Sequence, residues 1–289
     1  MWYCLLAGLL TLAAARLLTQ AVGSDEVVIA SWNVRNLGDA SDVQSRAAVI
    51  GEFDIVALQE VESEEALSDL VEALSDRSGY EWRSVVSPRM GEGGFAEFYA
   101  FVYRAERVQF LKGSQAIYPE PEPGDFVREP FFATFRAGVF DFTLVTVHVV
   151  WGDSTSPRAT ECRRLVSVWD RIQGLDPSED DLILLGDFNR DSPTNIAFDL
   201  LKTIGVVPLL TASGTRTTFG TTEGGGYWYD NIWIDPRFTA AEWTGKVGAG
   251  SRLANTYGTG CSEQLRGISD HCPVWAVFAT EVDDDPSCP

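Results

Sequence analysis

The sequence predicts a single α/β domain in which two β-sheets pack face to face and helices cover their outer surfaces. Apolar runs of strand length alternate with amphipathic stretches of helix length in both halves of the 289-residue chain. No low-complexity linker separates the halves, and 45% of the residues are hydrophobic, which is enough for one large core. A single domain of two packed sheets flanked by helices is the simplest arrangement of such elements.

The chain opens with an apolar run, residues 1–15, followed by small and polar residues up to Asp25. The run is too short to span a bilayer comfortably, so residues 1–23 are predicted to be a cleaved export signal and residues 24–282 the folded domain. No Lys or Arg precedes the run, which leaves an uncleaved anchor as the alternative. We expect the mature chain to be secreted or extracytoplasmic, monomeric, and without stable membrane association.

The first half of the domain begins with strands and helices in alternation and then becomes rich in β-structure. Its two opening strands are mainly apolar, as expected for strands buried on both faces. Serine or aspartate precedes each helix and can cap its first turn. The predicted strands are 27–33, 54–58, 80–87, 95–104 and 107–111, and the helices extend from a cap at 41–42 to about 52 and from 63 to 77.

The second half mixes strands and helices again after an exposed proline-rich loop at 119–124. Its first two strands meet at Ala137-Gly138, which predicts a hairpin. The predicted strands are 131–136, 139–150, 181–185, 227–234 and 273–280, the helices are 157–174 and 195–203, and a Thr- and Gly-rich loop occupies 211–226. Residues 283–289 are predicted to form a loose acidic tail.

The formal net charge is −20, and only three of the 22 basic residues are lysine. Such a surface repels nucleic acid at long range, which disfavours nonspecific binding of polyanions. A nuclease of this composition would need divalent cations and a local arginine cluster to hold phosphate.

Five cysteines are present, and Cys4 falls within the predicted signal. The remaining four, Cys162, Cys261, Cys272 and Cys288, predict two disulfides in an exported chain, with three pairings open. No CxxC motif occurs, which disfavours a zinc cluster or a dithiol redox site.

Several predicted strands end in polar residues that a buried core does not explain. Each could be a cap or a turn residue, but ligand sites gather where strand ends meet, so their recurrence predicts one common site. They are Asn33, Glu60, Glu97, His148, Asp187 with Asn189, Asp230 with Asn231, and Asp270 with His271.

The two histidines of the chain, His148 and His271, both belong to this set. A single histidine on an apolar strand is usually a hydrogen-bonded core residue. Together with carboxylates, however, two histidines suit acid–base hydrolysis of a phosphoester, in which one accepts a proton from water and the other donates to the leaving oxygen. A divalent ion on Glu60 and Asp270 would neutralise the charge that develops on the phosphorane.

Two other kinds of site are disfavoured. Ser269, Asp270 and His271 are contiguous, so they cannot themselves form a Ser-His-Asp triad, because neighbouring side chains on an extended chain point apart. Two histidines without an HExxH motif or a cysteine pair are also a poor ligand set for zinc.

In their order along almost the whole chain after the signal, these motifs resemble the endonuclease/exonuclease/phosphatase superfamily. The segments around Glu97 and Arg128 are similar to its deoxyribonuclease I branch. The matching segments are Ser31-Trp-Asn-Val-Arg-Asn36, Leu58-Gln-Glu60, Glu97-Phe-Tyr-Ala-Phe101, Val127-Arg-Glu-Pro130, Val147-His148, Gly186-Asp-Phe-Asn189, Tyr229-Asp230 and Ser269-Asp-His271.

The resemblance implies a four-layered α/β/β/α sandwich, DNA as the substrate, and Mg²⁺ as the cofactor, with Ca²⁺ or Mn²⁺ as further candidates. It implies that the catalytic histidines are oriented by carboxylates, His148 by Glu97 and His271 by Asp230. The implied metal ligands are Glu60 and Asp270. The groups implied around the scissile phosphate are Asn33, Asp187 and Asn189, and the arginines implied to contact the DNA backbone and minor groove are Arg35 and Arg128.

The chain departs from the deoxyribonuclease I branch at the positions that would touch the DNA groove. Glu62 stands where that branch has an arginine, and Ser192 to Thr194 supply no counterpart of its DNA-packing tyrosine. The cysteine positions of that branch are not reproduced in this chain either. The sequence therefore supports the phosphodiesterase chemistry more strongly than it supports duplex DNA as the substrate.

Three functions remain open at this point. The preferred one is a secreted, metal-dependent endonuclease that nicks DNA with little sequence preference, which Arg35 and Arg128 favour. The same site could instead act on inositol phosphates or sphingomyelin, which exposed aromatic residues in the substrate-facing loops would favour. The third possibility is a binding module without catalytic activity, in which case His148→Ala should leave its function unchanged.

Overall fold

The computed structural model describes residues 25–38, 41–152, 155–211, 216–220, 226–252 and 261–285. The predicted export signal at 1–23 lies outside the described residues, as does Cys288. Within the described part of the chain, no helix is both long enough and apolar enough to cross a bilayer.

The described elements are thirteen strands, five α-helices and two short 3₁₀ segments. The strands are β1 Glu26–Leu37, β2 Ile55–Val61, β3 Trp82–Val86, β4 Phe98–Arg104, β5 Gln109–Phe110, β6 Ala116–Ile117, β7 Phe131–Ala137, β8 Phe140–His148, β9 Leu182–Asp187, β10 Val207–Pro208, β11 Asp230–Ile234, β12 Trp243–Ala249 and β13 Val274–Ala279. The helices are α1 Val43–Ile50, α2 Glu64–Ser78, α3 Thr155–Gln173, α4 Asp199–Thr203 and α5 Glu263–Arg266, and the 3₁₀ segments are Gly93–Phe95 and Ile196–Phe198.

The strands form two mixed sheets with the same internal pattern. Sheet I has the order β12-β13-β1-β2-β4-β3, and sheet II has the order β10-β11-β9-β8-β7-β5, with β6 also paired to β7. Each sheet contains one parallel pair, β1 with β2 and β8 with β9, and its other strand pairs are antiparallel. The predicted hairpin at Ala137-Gly138 is the turn between β7 and β8, where Gly138 has a φ of +66°.

Three apolar layers hold the sheets and helices together. Alternate residues of β1 show why its run at 27–30 is continuously apolar: Val27 and Ile29 lie in the layer between the sheets, whereas Val28 and Ala30 lie in the layer beneath α1 and α2. A third layer joins sheet II to α3 and α4. The predicted four-layered sandwich is therefore confirmed.

The prediction of two disulfides among the four cysteines is wrong for Cys162. This residue lies on the inner face of α3, where its buried, unoxidised thiol donates to the carbonyl oxygen of Phe188 at 3.7 Å. The disulfide that the structure contains joins Cys261 to Cys272. The spacing of the cysteines could not show this, because it does not say which helix face carries a thiol.

The acidic tail also differs from its prediction over residues 283–285, which pack against sheet II. The Asp283 carboxylate accepts a hydrogen bond from the backbone N–H of Asp141, and the Asp285 carboxylate accepts one from the N–H of Asp180. Residues 286–289 lie outside the described part of the chain. Residues 283–285 are held in place because carboxylates in this segment accept hydrogen bonds from backbone N–H groups near the starts of β8 and β9.

Strand β12 was not predicted. Gly245 and Gly248 interrupt its apolar pattern, and the strand lies at the edge of sheet I with a shift in its pairing to β13. A strand on a sheet edge needs less apolar sequence, because fewer of its side chains are covered.

Candidate active site

The strand ends converge on a cleft of about 520 Å³ at one edge of the two sheets. In sheet II, His148 of β8 lies opposite Asp187 of β9, and Asp187 lies opposite Asp230 of β11. Eight of the eleven predicted site residues line the cleft: Glu60, Glu97, Arg128, His148, Asp187, Asn189, Asp270 and His271.

The other three predicted residues support this lining. The side-chain amide of Asn33 donates to Glu60 Oε1 at 2.8 Å and to Asp187 Oδ2 at 3.1 Å, which links sheet I to sheet II. Asp230 lies fully buried behind His271. Arg35 is at the rim, where its Nε lies 3.8 Å from Asp270 Oδ1.

His148 is held by Glu97. Its Nδ1 lies 2.9 and 3.0 Å from the two oxygens of Glu97, and its Nε2 lies 3.5 Å from Asp187 Oδ2. Burial alone would lower the pKa of His148, but the charge and hydrogen bond of Glu97, together with the charge of Asp187, raise it. The carboxylate therefore fixes the ring and favours its protonated form, while Nε2 faces the cleft.

His271 has a matching arrangement with Asp230. Its Nδ1 lies 2.8 and 3.1 Å from the Asp230 oxygens, and its Nε2 lies 3.6 Å from Asp187 Oδ2. Although burial opposes the charged form, Asp230 and then Asp187 raise the pKa of His271 to about 10. The backbone of His271 is fixed as well, because Trp32 Nε1 donates to its carbonyl oxygen at 2.9 Å.

Asp187 lies between the two imidazoles, and both Nε2 atoms approach the same carboxylate oxygen. Burial would raise the pKa of Asp187, but the charges of His271 and His148 hold it below its ordinary value. Two hydrogen bonds, from the backbone N–H of Asn189 and the amide of Asn33, act in the same direction. The site therefore directs the Nε2 atoms of both imidazoles at one small volume.

The sequence positions Asp187 through the glycine that precedes it. Gly186 has a φ of +147°, and a Cβ at this position would lie 2.0 Å from the carbonyl oxygen of Val147 on the neighbouring strand. Only glycine allows β9 to approach β8 this closely. The backbone turns again at Asn189, whose side-chain amide donates to the Val149 carbonyl oxygen at 2.7 Å.

Left-handed backbone conformations are concentrated at the cleft. In the part of the chain that the structure describes, the non-glycine residues with positive φ are Arg35, Asn36, Glu60 and Asn189. Such conformations are costly for residues with a Cβ and occur mainly where function requires them.

Arg128 lies behind the His148–Glu97 pair, with 4% of its surface exposed. Its Nε and Nη2 donate to the His148 carbonyl oxygen at 3.2 and 2.9 Å, and its Nε lies 3.7 Å from Glu97 Oε1. Its predicted contact with DNA stays a prediction. The structure shows a guanidinium that braces the histidine and reaches the cleft with one edge.

The cleft fits a hard divalent cation. Glu60, Glu62, Glu97, Asp187 and Asp270 give its wall an excess of carboxylates. The Glu60 carboxylate is oriented by Asn33 and by the backbone N–H of Asn36 at 3.1 Å. A cation bound by one or two such carboxylates would keep several water ligands, as Mg²⁺ usually does.

Glu60 and Asp270 do not form a ready group of three ligands. Among the described residues, the group of potential ligands closest together in the cleft is Asp187, Asp230 and His271. The side chain of Asp270 is 56% exposed and paired with Arg35. The assignment of Glu60 and Asp270 as metal ligands therefore stays a prediction.

Supporting residues that the sequence did not reveal include Glu161 and Tyr99. The two oxygens of Glu161 accept from the N–H groups of Val127 and Val150, each at 2.8 Å, which ties α3 to the segments carrying Arg128 and His148. Tyr99 accepts from the N–H of His148 at 3.0 Å. Glu161 could have been found, because a glutamate on the apolar stripe of a helix is unusual.

Exposed aromatic residues also line the cleft. Trp151 is 56% exposed and Tyr227 is 50% exposed. The Tyr227 ring stacks on Tyr229 with a centroid distance of 4.9 Å and an interplanar angle of 6°. The cleft therefore offers flat apolar surfaces beside its polar centre.

Comparison with known proteins agrees with this geometry. Residues 30–271 match the family described as the Endonuclease/Exonuclease/phosphatase family. A deoxyribonuclease from Thioalkalivibrio sp. (strain K90mix) is 30% identical over 261 residues, which cover 86% of this chain and 70% of that protein. Deoxyribonuclease-1-like 2 from Mus musculus is 27% identical over 274 residues, which cover 90% of this chain and 94% of that protein.

The fold is shared with solved structures of low sequence identity. A mannosyl-6-phosphatase from Bacteroides thetaiotaomicron aligns with a TM-score of 0.58 at 20% identity, over 86% of this chain and 98% of that chain. The family match over most of the chain confirms the resemblance found in the sequence motifs. The chain belongs to the endonuclease/exonuclease/phosphatase family and is a hydrolase of phosphoester bonds.

Proposed function

We propose that the chain is an exported endonuclease that uses Mg²⁺ to hydrolyse DNA phosphodiester bonds. The observation that carries this proposal is the convergence of His148 and His271, each held by a carboxylate, on the same oxygen of Asp187. Two of the relatives are named as deoxyribonucleases, which supports DNA as the substrate. Export rests on the apolar run at the start of the sequence.

The hydrogen bonds of the two histidines suit them to move protons in the reaction. Because Nδ1 of each ring faces a carboxylate, Nε2 is the nitrogen that meets the substrate. The ring that acts as the base must be neutral, so that its Nε2 can accept a proton from the attacking water. The other ring, in its protonated form, donates a proton to the leaving oxygen. Glu97 and Asp230 keep each ring in the orientation that this transfer requires.

The remaining residues position the phosphate. Asn33 and Asn189 fix Asp187 and the Glu60 carboxylate, so the acidic wall of the cleft has a defined shape. A divalent cation bound there would neutralise the charge that develops on the phosphorane. Arg35 at the rim is exposed and supplies a contact for the DNA backbone.

The test uses the purified full chain and supercoiled plasmid in the presence of magnesium and calcium, with a chelated sample and His148→Ala alongside. We expect metal-dependent conversion to nicked circles, with no conversion in the chelated sample or by the variant. The variant is purified in the same way, so it also controls for contaminating nuclease. An intact plasmid with wild-type protein, or equal nicking by His148→Ala, would contradict the proposal.

A second candidate substrate is a smaller or lipid phosphoester, such as an inositol phosphate or sphingomyelin. The exposed rings of Trp151 and Tyr227 at the cleft favour it, because an apolar substrate surface can pack on them. Glu62 favours it too, since this residue lines the cleft where a groove-binding arginine would assist DNA binding.

One pair of variants distinguishes between the two candidate substrates. If lipid is the substrate, Trp151→Ala and Tyr227→Ala should reduce hydrolysis of sphingomyelin vesicles, while hydrolysis of a small soluble phosphodiester stays near the wild-type rate. If DNA is the substrate, vesicles are not hydrolysed and the plasmid is nicked.

A further inference from the structure

A second group of carboxylates lies at the end of sheet II opposite the cleft. Asp141 is next to the start of β8 and Asp181 immediately precedes β9, whereas His148 and Asp187 occupy the other ends of these strands. At a rise of about 3.3 Å per residue, β8 alone places about 23 Å between Asp141 and His148. The group is therefore separate from the candidate active site.

Seven carboxylates make up this group, which we call the basal cluster. They form three overlapping sets, in each of which one oxygen per residue lies within 4.8 Å of the others. The sets are Asp141, Asp283 and Asp285; Glu179, Asp181 and Asp285; and Asp181, Glu242 and Asp284. Among the described residues, the basal cluster forms one ion pair, in which Asp141 Oδ2 lies 2.5 Å from Arg136 Nη2.

The centre of the basal cluster contains buried carboxylate oxygens without hydrogen bonds. Asp181 and Glu242 have no exposed surface, and none of their four carboxylate oxygens has a hydrogen bond of normal geometry. Glu179 is 9% exposed, and its Oε2 is also without one. A buried, uncompensated carboxylate is strongly unfavourable, so these groups must either hold a proton or bind a cation.

The same chain compensates a buried carboxylate elsewhere with its own groups. Asp54 is 2% exposed, accepts from the backbone N–H of Val28 at 3.0 Å, and lies 3.4 and 3.5 Å from the guanidinium groups of Arg104 and Arg107. The contrast shows that Asp181 is in an unusual environment for a carboxylate that serves only to hold the fold.

We propose that the basal cluster is a calcium site in which Asp181 and Asp285 are the shared ligands. Ca²⁺ binds six to eight oxygens at about 2.3 to 2.6 Å, so oxygens on opposite sides of the ion lie about 4.6 to 5.2 Å apart. The spacing of the oxygens within each set of three matches this size. Mg²⁺ fits less well, because it requires shorter distances and retains several waters. The ligands are all oxygens, which disfavours zinc and copper.

Calcium at this site would fasten separate parts of the chain together. The ligands come from the starts of β8 and β9, from Glu242 just before β12, and from residues 283–285 after β13. The ion would therefore hold the end of the folded domain against sheet II. Its effect is on stability, so it can be measured without an assay of hydrolysis.

The test is thermal unfolding of the full chain, stripped of metal by chelation and followed by tryptophan fluorescence. With calcium in large excess over its Kd, the Tm of the wild type should rise by at least about 5 °C. Asp181→Asn should lose this rise. Without metal its Tm should equal or exceed that of the wild type, since the substitution removes an unpaired buried charge.

Three comparisons make the result specific. Asp170→Asn, an exposed carboxylate on α3, and Glu60→Gln, in the cleft, should both keep the calcium-dependent rise. Magnesium at the same concentration should give a smaller rise. An equal rise in Asp181→Asn, its loss in Glu60→Gln instead, or an equal effect of magnesium would overturn the proposal.

A second variant keeps the proposal testable if Asp181→Asn does not fold. Asp284 is exposed and contributes one ligand, so Asp284→Asn should fold and bind calcium about tenfold more weakly in calorimetric titration. Calcium binding identical to that of the wild type would count against the site.

Discussion

At the level of single residues, the backbone is most constrained where it forms the cleft. Arg35, Asn36, Glu60 and Asn189 all have φ near +50° to +60°. Each such conformation costs on the order of 1 to 3 kcal/mol and persists because neighbouring contacts stabilise it. At Glu60 these contacts are the hydrogen bonds from Asn33 and Asn36. The cleft thus has a fixed shape before the substrate arrives.

Glu97→Gln tests the orientation of His148. The substitution keeps the shape of the side chain but removes the charge that holds Nδ1, and the new amide can donate to Nδ1 and reverse the tautomer. We expect kcat to fall by about 10² to 10⁴, as for other carboxylates that orient a catalytic histidine. Initial rates on plasmid DNA measure this effect.

Glu92→Gln is the matched control, because Glu92 is an exposed glutamate near the same loop and is not one of the residues that line the cleft. Its rate should equal that of the wild type. A Glu97→Gln variant with full activity and an unchanged circular dichroism spectrum would show that His148 does not depend on Glu97.

Gly186→Ala tests the close approach of β9 to β8. An added Cβ would meet the Val147 carbonyl oxygen at 2.0 Å, in a backbone conformation that favours glycine. We expect the free energy of unfolding to fall by roughly 3 kcal/mol or more, as measured by urea denaturation. At Gly152 an added Cβ meets nothing within 4 Å, so Gly152→Ala should be close to neutral. Equal stability of the two variants would refute the steric argument.

The polar residues that gather at the strand ends could be identified from sequence, whereas the contacts that hold them could not. Asp187 and His148 follow apolar runs directly, and this pattern is visible without a structure. The contacts of Glu161 with two backbone N–H groups depend on how α3 lies on sheet II. No local pattern encodes that packing, so the sequence shows which polar groups come together better than it shows what holds them.

At the level of elements, the buried strands were predicted well because they are covered on both faces. β1, β2 and β9 contain uninterrupted apolar runs at 27–30, 55–58 and 182–185, and β8 is mainly apolar. Short runs of this kind are typical of buried strands. Edge strand β12 was not predicted, because its partly exposed side chains do not need to be apolar. The packing of residues 283–285 was not predicted either, because an acidic segment contains no apolar residues that would indicate burial.

Helix α3 gives a prediction about Cys162. Burial in the apolar layer raises the pKa of its thiol well above the ordinary value, and the side chain has 1% exposure. We expect Cys162 to resist thiol reagents in the native protein and to react after denaturation. The number of thiols gained on denaturation should therefore drop by one in Cys162→Ala. An unchanged gain would mean that Cys162 is already accessible or oxidised.

At the level of the whole molecule, the net negative charge opposes the binding of DNA, the proposed substrate. The net charge is −20, and the cleft wall is itself rich in carboxylates. Arg35 and Arg128 are the arginines expected to meet DNA, and Arg128 is almost fully buried. Attraction to a polyanion therefore depends on cations and on a few local contacts.

This balance predicts a weak dependence of DNA cleavage on salt. With about two phosphate contacts, kcat/KM should fall only about tenfold between about 50 and 200 mM NaCl, compared with about 10³ to 10⁵ for six to ten contacts. Initial rates of plasmid nicking at constant magnesium measure the slope. Arg35→Ala should reduce the slope further. A steep decline would contradict the inference that DNA is held by about two phosphate contacts.

The hydrogen bond from Asn33 to Asp187 has a consequence for how the chain acquires activity. It joins residues 154 positions apart, and the bond from Trp32 to the His271 carbonyl oxygen joins residues 239 apart. Contacts between such distant residues form late in folding, because a long loop must first be closed. Helices and hairpins can form while the two sheets are still separate, but the cleft cannot. During refolding, secondary structure should return before catalysis, so catalytic activity marks the final docking of one sheet on the other.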